Sequence, residues 1–134
     1  MSQADVDVVL EQFEATNRRD FERAMSHYGD DVELVVHPGA FLDAGTHTGR
    51  EAVGAWFGDW FRTFAPGYSF EIEETRDLDE LVFLFASHRG RGRTSGVEVH
   101  GKTAYLYTVR DGKIVRVELY PGRGEALEAA AARK

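Results

Sequence analysis

Apolar residues recur with a helical period in the first half of the chain and with a period of two in much of the second half. Near the start, this spacing predicts an amphipathic helix over residues 5–17. Its apolar stripe is formed by Val6, Val9, Leu10 and Phe13. Asp20 can cap a second short helix, because its carboxylate accepts hydrogen bonds from free backbone N–H groups. The apolar side of that helix would be Phe21, Ala24, Met25 and Tyr28.

A strand, a loop and a third helix are predicted next. The sequence DDVELVVHP, residues 30–38, predicts a strand that ends at Pro38, and the small residues of 39–49 predict a loop. The third helix lies within residues 49–67, where Pro66 and Gly67 end it. One stripe of this helix is large and apolar, with Val53, Trp56, Phe57, Trp60, Phe61 and Phe64.

The second half predicts a run of strands followed by one helix. The strands are SFEIEE (69–74), LVFLFASHRGRGR (81–93), VEVHGKTAYLYTV (97–109) and KIVRVELY (113–120). Turn signals stand between them at Ser95-Gly96 and Asp111-Gly112. The last segment, 124–134, is rich in alanine and glutamate and predicts a helix. Helices followed by antiparallel strands are typical of an α+β domain with helices on one sheet face.

Turn chemistry gives a first estimate of which side chains share a sheet face. A three-residue loop over 110–112 pairs Tyr107 with Val115, and a two-residue loop at Ser95-Gly96 pairs His88 with Thr103. These registers place the polar side chains of His88, Thr103, Tyr105 and Tyr107 on the inner face. They direct Arg89, Arg91 and Arg93 to the outer face.

Composition narrows the possible functions. A chain of 134 residues, 43% hydrophobic, is expected to form a single domain over residues 1–134 with a packed core. A net charge of −7 repels polyanions, so we expect no nucleic-acid partner. Without cysteine, thiolate metal sites and cysteine nucleophiles are excluded. The start lacks the pattern of a signal peptide and no stretch approaches the about 20 apolar residues of a membrane span, so we expect a cytoplasmic protein without a membrane partner.

Several motifs together resemble a known family. YGDDVEL leading into a strand, GREAV opening the aromatic helix and RDGKIVRVELY in the last strands resemble the SnoaL-like polyketide cyclase branch of the nuclear-transport-factor-2-like superfamily. The resemblance covers nearly the whole chain. It implies a bent antiparallel sheet wrapped around N-terminal helices, forming a cone with an internal pocket. Several enzymes of this family carry an aspartate near the end of the last strand, where this chain has Leu119 and Gly122.

The predicted inner face supplies candidate site residues. His88 is the candidate general base, Tyr105 the group that polarises a carbonyl, and His37 the alternative base. Further ligand-binding candidates are Trp56, Trp60, Tyr107, Thr103, Leu119 and Asp43. His37, Asp43 and His47 lie on or near the loop expected to cross the mouth of the cone. The alternatives are that His88 is a core histidine and that the loop residues are surface residues. No metal site is expected, because the spacing of the loop residues matches no metal motif.

Two functions fit these residues. One is a cofactor-free cyclase, isomerase or dehydratase that acts by acid–base chemistry on a small apolar molecule with a carbonyl group. The other is a non-catalytic ligand-binding or dimerisation domain. Neither needs a cofactor, and the chain carries no P-loop, dinucleotide fingerprint, serine-hydrolase elbow or zinc-protease motif. Because LVFLFA (81–86) is apolar on both faces, its outer side needs a cover, and we expect a homodimer through the outer sheet face.

Overall fold

A computed structural model describes residues 3–41 and 44–133. In chain order its elements are α1 (Gln3–Asn17), α2 (Phe21–Met25), β1 (Tyr28–Val36), β2 (Gly45–Thr48), α3 (Arg50–Arg62), β3 (Ser69–Asp77), β4 (Val82–Arg91), β5 (Glu98–Arg110), β6 (Lys113–Tyr120) and α4 (Arg123–Ala131). The α+β class, with helices before the main run of strands, is confirmed. Asp20 caps α2 as predicted, since its carboxylate accepts from the backbone N–H of Arg23. Tyr28 begins β1 and does not extend the helix.

The six strands form one sheet in the order β2-β1-β6-β5-β4-β3. The sheet is mixed, which corrects the antiparallel prediction: β1 runs parallel to β6, while the other neighbouring pairs are antiparallel. Such a parallel pair requires a long connection, which the intervening helices and strands supply. The short edge strand β2 lies within the predicted loop. Its sequence, GTHT, has no apolar alternation that could have revealed it.

The predicted sheet faces of the candidate site residues are confirmed, although the predicted strand pairs are wrong. Asp111 and Gly112 form a two-residue turn with φ values of 51° and 76°, as a type I′ hairpin turn requires. An irregularity after Thr108 then pairs Tyr107 with Val117. Likewise, His88 pairs with Gly101 rather than with Thr103. Both pairings differ from the predicted ones by two positions, so His88, Tyr105 and Tyr107 keep their predicted face. The irregularity places Ile114, rather than the predicted Val115, in the inner cluster.

The inner face of the sheet packs against α1 and α3. Val9 and Phe13 of α1 and Val53 of α3 join a buried cluster with the inward side chains of β1, β4, β5 and β6. Its strand members include Leu34, Val82, Leu84, Tyr105, Tyr107, Val117 and Leu119. This packing follows from the period-two alternation of the strands, which collects their apolar side chains on one face.

The outer face is covered in part by α4. Ala126 and Ala130 of this helix pack against Phe83, Leu106 and Tyr120, which are buried. The chain therefore covers much of the outer side of LVFLFA with its own last helix. This corrects the reason given for a second subunit, because a partner is not needed to bury these side chains.

In the part of the chain that the structure describes, no helix is long and apolar enough to cross a membrane.

Candidate functional site

The aromatic stripe of α3 forms one wall of the candidate site. The rings of Trp56 and Trp60 are parallel with centroids 6.2 Å apart, and Phe41 packs edge-on against Trp60 with centroids 4.3 Å apart. Val53 and Phe61 of the same helix are buried, whereas both tryptophans are half-buried. The stripe therefore divides into a part that packs in the core and a part whose indole rings remain accessible.

His88 lies next to this wall and is held by a hydrogen-bonded chain of side chains. The indole Nε1–H of Trp60 donates to the hydroxyl of Tyr68 at 2.9 Å, and that hydroxyl lies 2.9 Å from Nδ1 of His88. The His88 ring also lies near the rings of Phe41 and Phe70, with centroid distances of 6.2 and 5.8 Å. His88 is thus on the inner face as predicted, next to these aromatic rings, and it also borders a groove that contains Glu73, His100 and Lys102.

Gly90 makes the position of Tyr68 possible. A Cβ atom on Gly90 would lie 2.7 Å from Cδ1 and 3.0 Å from Cα of Tyr68, closer than real Cβ atoms come to other atoms. Gly90 follows His88 by two positions in β4, so both face inward. The absent side chain lets Tyr68 pack against the strand and bring its hydroxyl to the imidazole.

The inner face is an environment that favours neutral side chains. Burial lowers the pKa of His88 below its ordinary value, and the charge of His100 lowers it further. Burial raises the pKa of Tyr68 well above its ordinary value, although the hydrogen bond from Trp60 works in the opposite direction. At neutral pH the chain therefore carries a neutral imidazole and a protonated phenol here.

The two inward tyrosines of β5 differ in their hydrogen bonding. The hydroxyl of Tyr107 accepts from Nε2 of Gln12 at 3.2 Å, while Oε1 of Gln12 accepts from Tyr28 at 2.9 Å. Among the described residues, no hydrogen bond reaches the hydroxyl of Tyr105. Burial raises the pKa of Tyr105 well above its usual range. Tyr107 is therefore occupied by a structural network, whereas Tyr105 has a free hydroxyl.

Thr103 and Leu119 occupy the inner face beside these tyrosines. Thr103 is 1% exposed, and its hydroxyl has no hydrogen-bond partner in the described part of the chain. Leu119 is fully buried and pairs with Tyr105 across the strands. Leu119 thus belongs to the core that supports the site, and Thr103 adds a second hydroxyl to the Tyr105 row.

The two described loop histidines lie in different places. The ring of His37 is stacked on Tyr120 on the outer face, with centroids 4.2 Å apart, so the structure does not bring the two candidate bases His37 and His88 together. His47 lies on the inner side, with its ring centroid 6.4 Å from Trp56. Asp43 is outside the described residues.

A buried carboxylate on the outer face explains the position of His37. Glu118 is 1% exposed, and Arg133 donates two hydrogen bonds of 2.6 Å to it. Tyr120 donates to the same carboxylate at 3.1 Å, and Nε2 of His37 lies 3.3 Å from it. Burial alone would raise the pKa of Glu118, but the hydrogen bonds and charge of Arg133 hold it below the usual value.

Sequence reasoning missed Tyr68, Gly90 as its packing partner, and Gln12. Tyr68 precedes Phe70 by two positions at the start of β3, so the period-two pattern could have placed it on the inner face. Gln12 lies on the apolar stripe of α1, where a polar residue signals a buried hydrogen bond.

The described residues contain no cluster of three or more His, Cys, Asp or Glu side chains that could hold a metal ion. The polar groups that the inner face offers are the hydroxyl of Tyr105 and the ring of His88, which lies beside Trp60.

Comparison with known sequences identifies the family. The sequence pattern of the SnoaL-like domain matches residues 9–117, and the chain belongs to this family. No curated protein matches the chain significantly.

Solved structures of similar fold agree with this assignment. TerC, crystallised with polyporic acid, is 20% identical with a TM-score of 0.77, and the match covers 96% of this chain and 99% of TerC. An NTF2-like protein from Burkholderia thailandensis is 22% identical with a TM-score of 0.77, covering 100% and 99% of the two chains. A protein from Sinorhizobium meliloti proposed to be a polyketide cyclase is 22% identical with a TM-score of 0.67, covering 85% and 94%. At these identities the likeness shows a shared fold.

Proposed function

We propose that the protein binds a small, largely apolar molecule with a carbonyl group at the inner-face site and converts it by cofactor-free acid–base chemistry. The observation that carries the proposal is the half-buried aromatic wall of Trp56 and Trp60, with the ring of His88 6.5 Å from that of Trp60. Tyr105 lies on the same face of the sheet with a hydroxyl that no described residue bonds. Small-molecule sites typically combine apolar surface with a few polar groups that orient the ligand. The fold shared with TerC, which was crystallised with polyporic acid, supports the same proposal.

In this proposal Tyr105 supplies the polar contact. A buried phenol with a raised pKa stays protonated and can donate to a carbonyl oxygen. Such a bond polarises the carbonyl and acidifies the neighbouring C–H bonds, which is the first requirement of isomerase, cyclase and dehydratase chemistry. The tryptophans would hold the apolar body of the ligand.

Intrinsic fluorescence provides the test, because both tryptophans of the chain lie in the site. The protein is titrated with a panel of bicyclic and polycyclic aromatic ketones and quinones, and thermal stability is measured in parallel. We expect at least one compound to quench the emission saturably and to raise Tm. A panel in which no compound does either would contradict the proposal.

Two matched variants locate the contact. Tyr105→Phe and Tyr120→Phe remove the same hydroxyl from opposite faces of the sheet. We expect Tyr105→Phe to weaken binding of the best ketone about tenfold, since one good hydrogen bond is lost. Tyr120→Phe should leave binding unchanged. Equal affinities of the native protein and the two variants for the ketone would show that the hydroxyl of Tyr105 does not contact it.

A non-catalytic binding domain is the second candidate. The inward positions of β6 near its end are Val117 and Leu119, which offer no group for proton transfer. Incubation of the bound ketone in D₂O separates the two functions. Deuterium uptake next to the carbonyl above the buffer rate, followed by mass spectrometry, indicates acid–base turnover. Saturable binding without exchange indicates a binding protein.

We also propose a homodimer through the part of the outer face that α4 leaves open. A groove of about 620 Å³ lies there, where Glu71 and Glu73 stand opposite Arg89, His100 and Lys102, and His88 and Gly101 form part of its lining. A twofold axis through such a surface can place acids of one copy against bases of the other. Light scattering should give twice the chain mass for the native protein and a lower mass for Arg89→Glu. A monomer at all concentrations would contradict this.

A further inference from the structure

We infer that His88 acts as a neutral hydrogen-bond donor through Nε2–H, and that the site selects ligands with an oxygen acceptor at this point. Tyr68 and Trp60 are positioning residues that fix the ring in this state. The inference rests on the proposed function and assigns His88 a role different from the general base expected from the sequence.

The direction of the hydrogen bonds follows from the donors available. An indole N–H can only donate, so Trp60 donates and the oxygen of Tyr68 accepts. The single hydroxyl hydrogen of Tyr68 then points to Nδ1 of His88, 2.9 Å away. The reverse arrangement, with Nδ1–H donating, would leave the proton of a hydroxyl on a residue only 1% exposed without an acceptor. With Nδ1 accepting, a neutral imidazole carries its hydrogen on Nε2.

The surroundings of the ring keep it uncharged. The rings nearest to His88 are those of Phe41, Trp60, Tyr68 and Phe70. None of them stabilises an imidazolium by a salt bridge, and no described carboxylate forms an ion pair with His88. Burial lowers the pKa of His88, in agreement with these contacts, and the charge of His100 lowers it further. A neutral ring whose Nδ1 is already bonded has no free lone pair with which to accept a proton.

Gly101 leaves space beside the donating nitrogen. A Cβ atom on Gly101 would lie 3.1 Å from Nε2 of His88, across the strand pair. Among the described residues, no hydrogen-bond acceptor is found for Nε2. Thr103, two positions along the same row, has a hydroxyl without a partner in the described chain, but that oxygen is shielded from solvent. A carbonyl or phenolate oxygen fits the Nε2–H donor of His88, whereas an ammonium group does not.

The state of the ring can be measured without any ligand. Long-range ¹H–¹⁵N correlation spectra of labelled protein at neutral pH should show His88 in the Nε2–H tautomer. Tyr68→Phe removes the hydroxyl that bonds Nδ1 and should give a mixture of tautomers. Trp60→Phe removes the donor to Tyr68, and we expect this second variant to show a mixture of His88 tautomers as well. A native His88 that is charged or protonated on Nδ1 would overturn the inference.

A matched pair of probes tests the ligand chemistry. 1-Acetonaphthone and 1-ethylnaphthalene have nearly the same apolar shape, but only the ketone has an oxygen acceptor. We expect the native protein to bind the ketone about tenfold more tightly, as one hydrogen bond provides. His88→Phe should reduce this preference because it removes the donor. Gly101→Ala should also reduce it, because the added methyl group crowds Nε2 of His88.

The outcomes distinguish the two proposals. If neither probe binds but the spectra show His88 in the Nε2–H tautomer, the small-molecule site is contradicted. The assignment of the His88 tautomer is then still supported. Equal binding of both probes supports an apolar site but overturns the role of His88 as a selecting donor. A ketone preference that persists in His88→Phe and disappears in Tyr105→Phe would transfer the role to Tyr105.

Discussion

Two titratable side chains lie on opposite faces of the same sheet and are stabilised in opposite ways. His88 on the inner face is surrounded by aromatic rings and bonded by a neutral phenol. Glu118 on the outer face is charged and bonded by an arginine, a tyrosine and a histidine. A buried charge requires such partners, whereas a neutral ring does not. The outer face thus buries a charge among bonded partners, whereas the inner face holds a neutral ring whose Nε2 has no partner among the described residues.

The largest effect is expected on the outer face. Arg133→Met removes the bidentate partner of Glu118 and leaves a buried carboxylate with weaker contacts. Because the Arg133 side chain is 40% exposed, we expect a loss of about 2 kcal/mol in the free energy of unfolding, below the range for fully buried pairs. Urea denaturation measures this loss.

Arg123→Met is the matched control. Arg123 also donates two hydrogen bonds to one carboxylate, that of Glu74, but this pair lies at the surface. Solvent screens such pairs, so a much smaller loss is expected than for Arg133→Met. Equal losses in the two variants would contradict the distinction between the buried and the surface pair.

On the inner face, the free energy of unfolding should fall more when the hydroxyl of Tyr68 is removed than when the unbonded hydroxyl of Tyr105 is removed. Tyr68→Phe leaves the indole N–H of Trp60 without its acceptor and should cost about 1–2 kcal/mol. Tyr105→Phe removes a hydroxyl that has no partner among the described residues and should change stability by less than about 0.5 kcal/mol. Thermal and urea unfolding of both variants provide the comparison. A large loss in Tyr105→Phe would show that its hydroxyl is structural.

The smallest effect is a difference in pH dependence. The pKa of Glu118 is lowered in the folded protein, so its stabilising contribution is present above about pH 4.5 and is lost as the pH falls through the folded value. Glu118→Gln should therefore lose less stability than the native protein between pH 5 and pH 3. The lowered pKa of His88 acts at higher pH: its contribution declines as the pH falls below about 6.5. Parallel pH curves for native protein and Glu118→Gln would contradict the assignment to Glu118.

The sequence predicted the sheet faces because side-chain alternation survives an error of two positions in register. His88, Tyr105 and Tyr107 were therefore placed inward although their partners were wrong. The pair formed by Tyr68 and His88 could not be predicted, since it depends on how the turn before β3 approaches β4. The position of His37 depends on Glu118 and Tyr120, which are about 80 residues further along the chain. Contacts of this kind are set by tertiary packing and leave no local pattern.

The close approach of Gly90 and Tyr68 has a consequence for the family. A relative with a side chain at the position of Gly90 cannot accommodate a tyrosine packed as Tyr68 is. The two positions should therefore covary, with glycine accompanying tyrosine and larger residues accompanying smaller ones. Across the SnoaL-like family, this pair of positions would divide the members into two groups. In one group a tyrosine bonds Nδ1 of an inner-face histidine, and in the other the histidine ring is free to exchange protons.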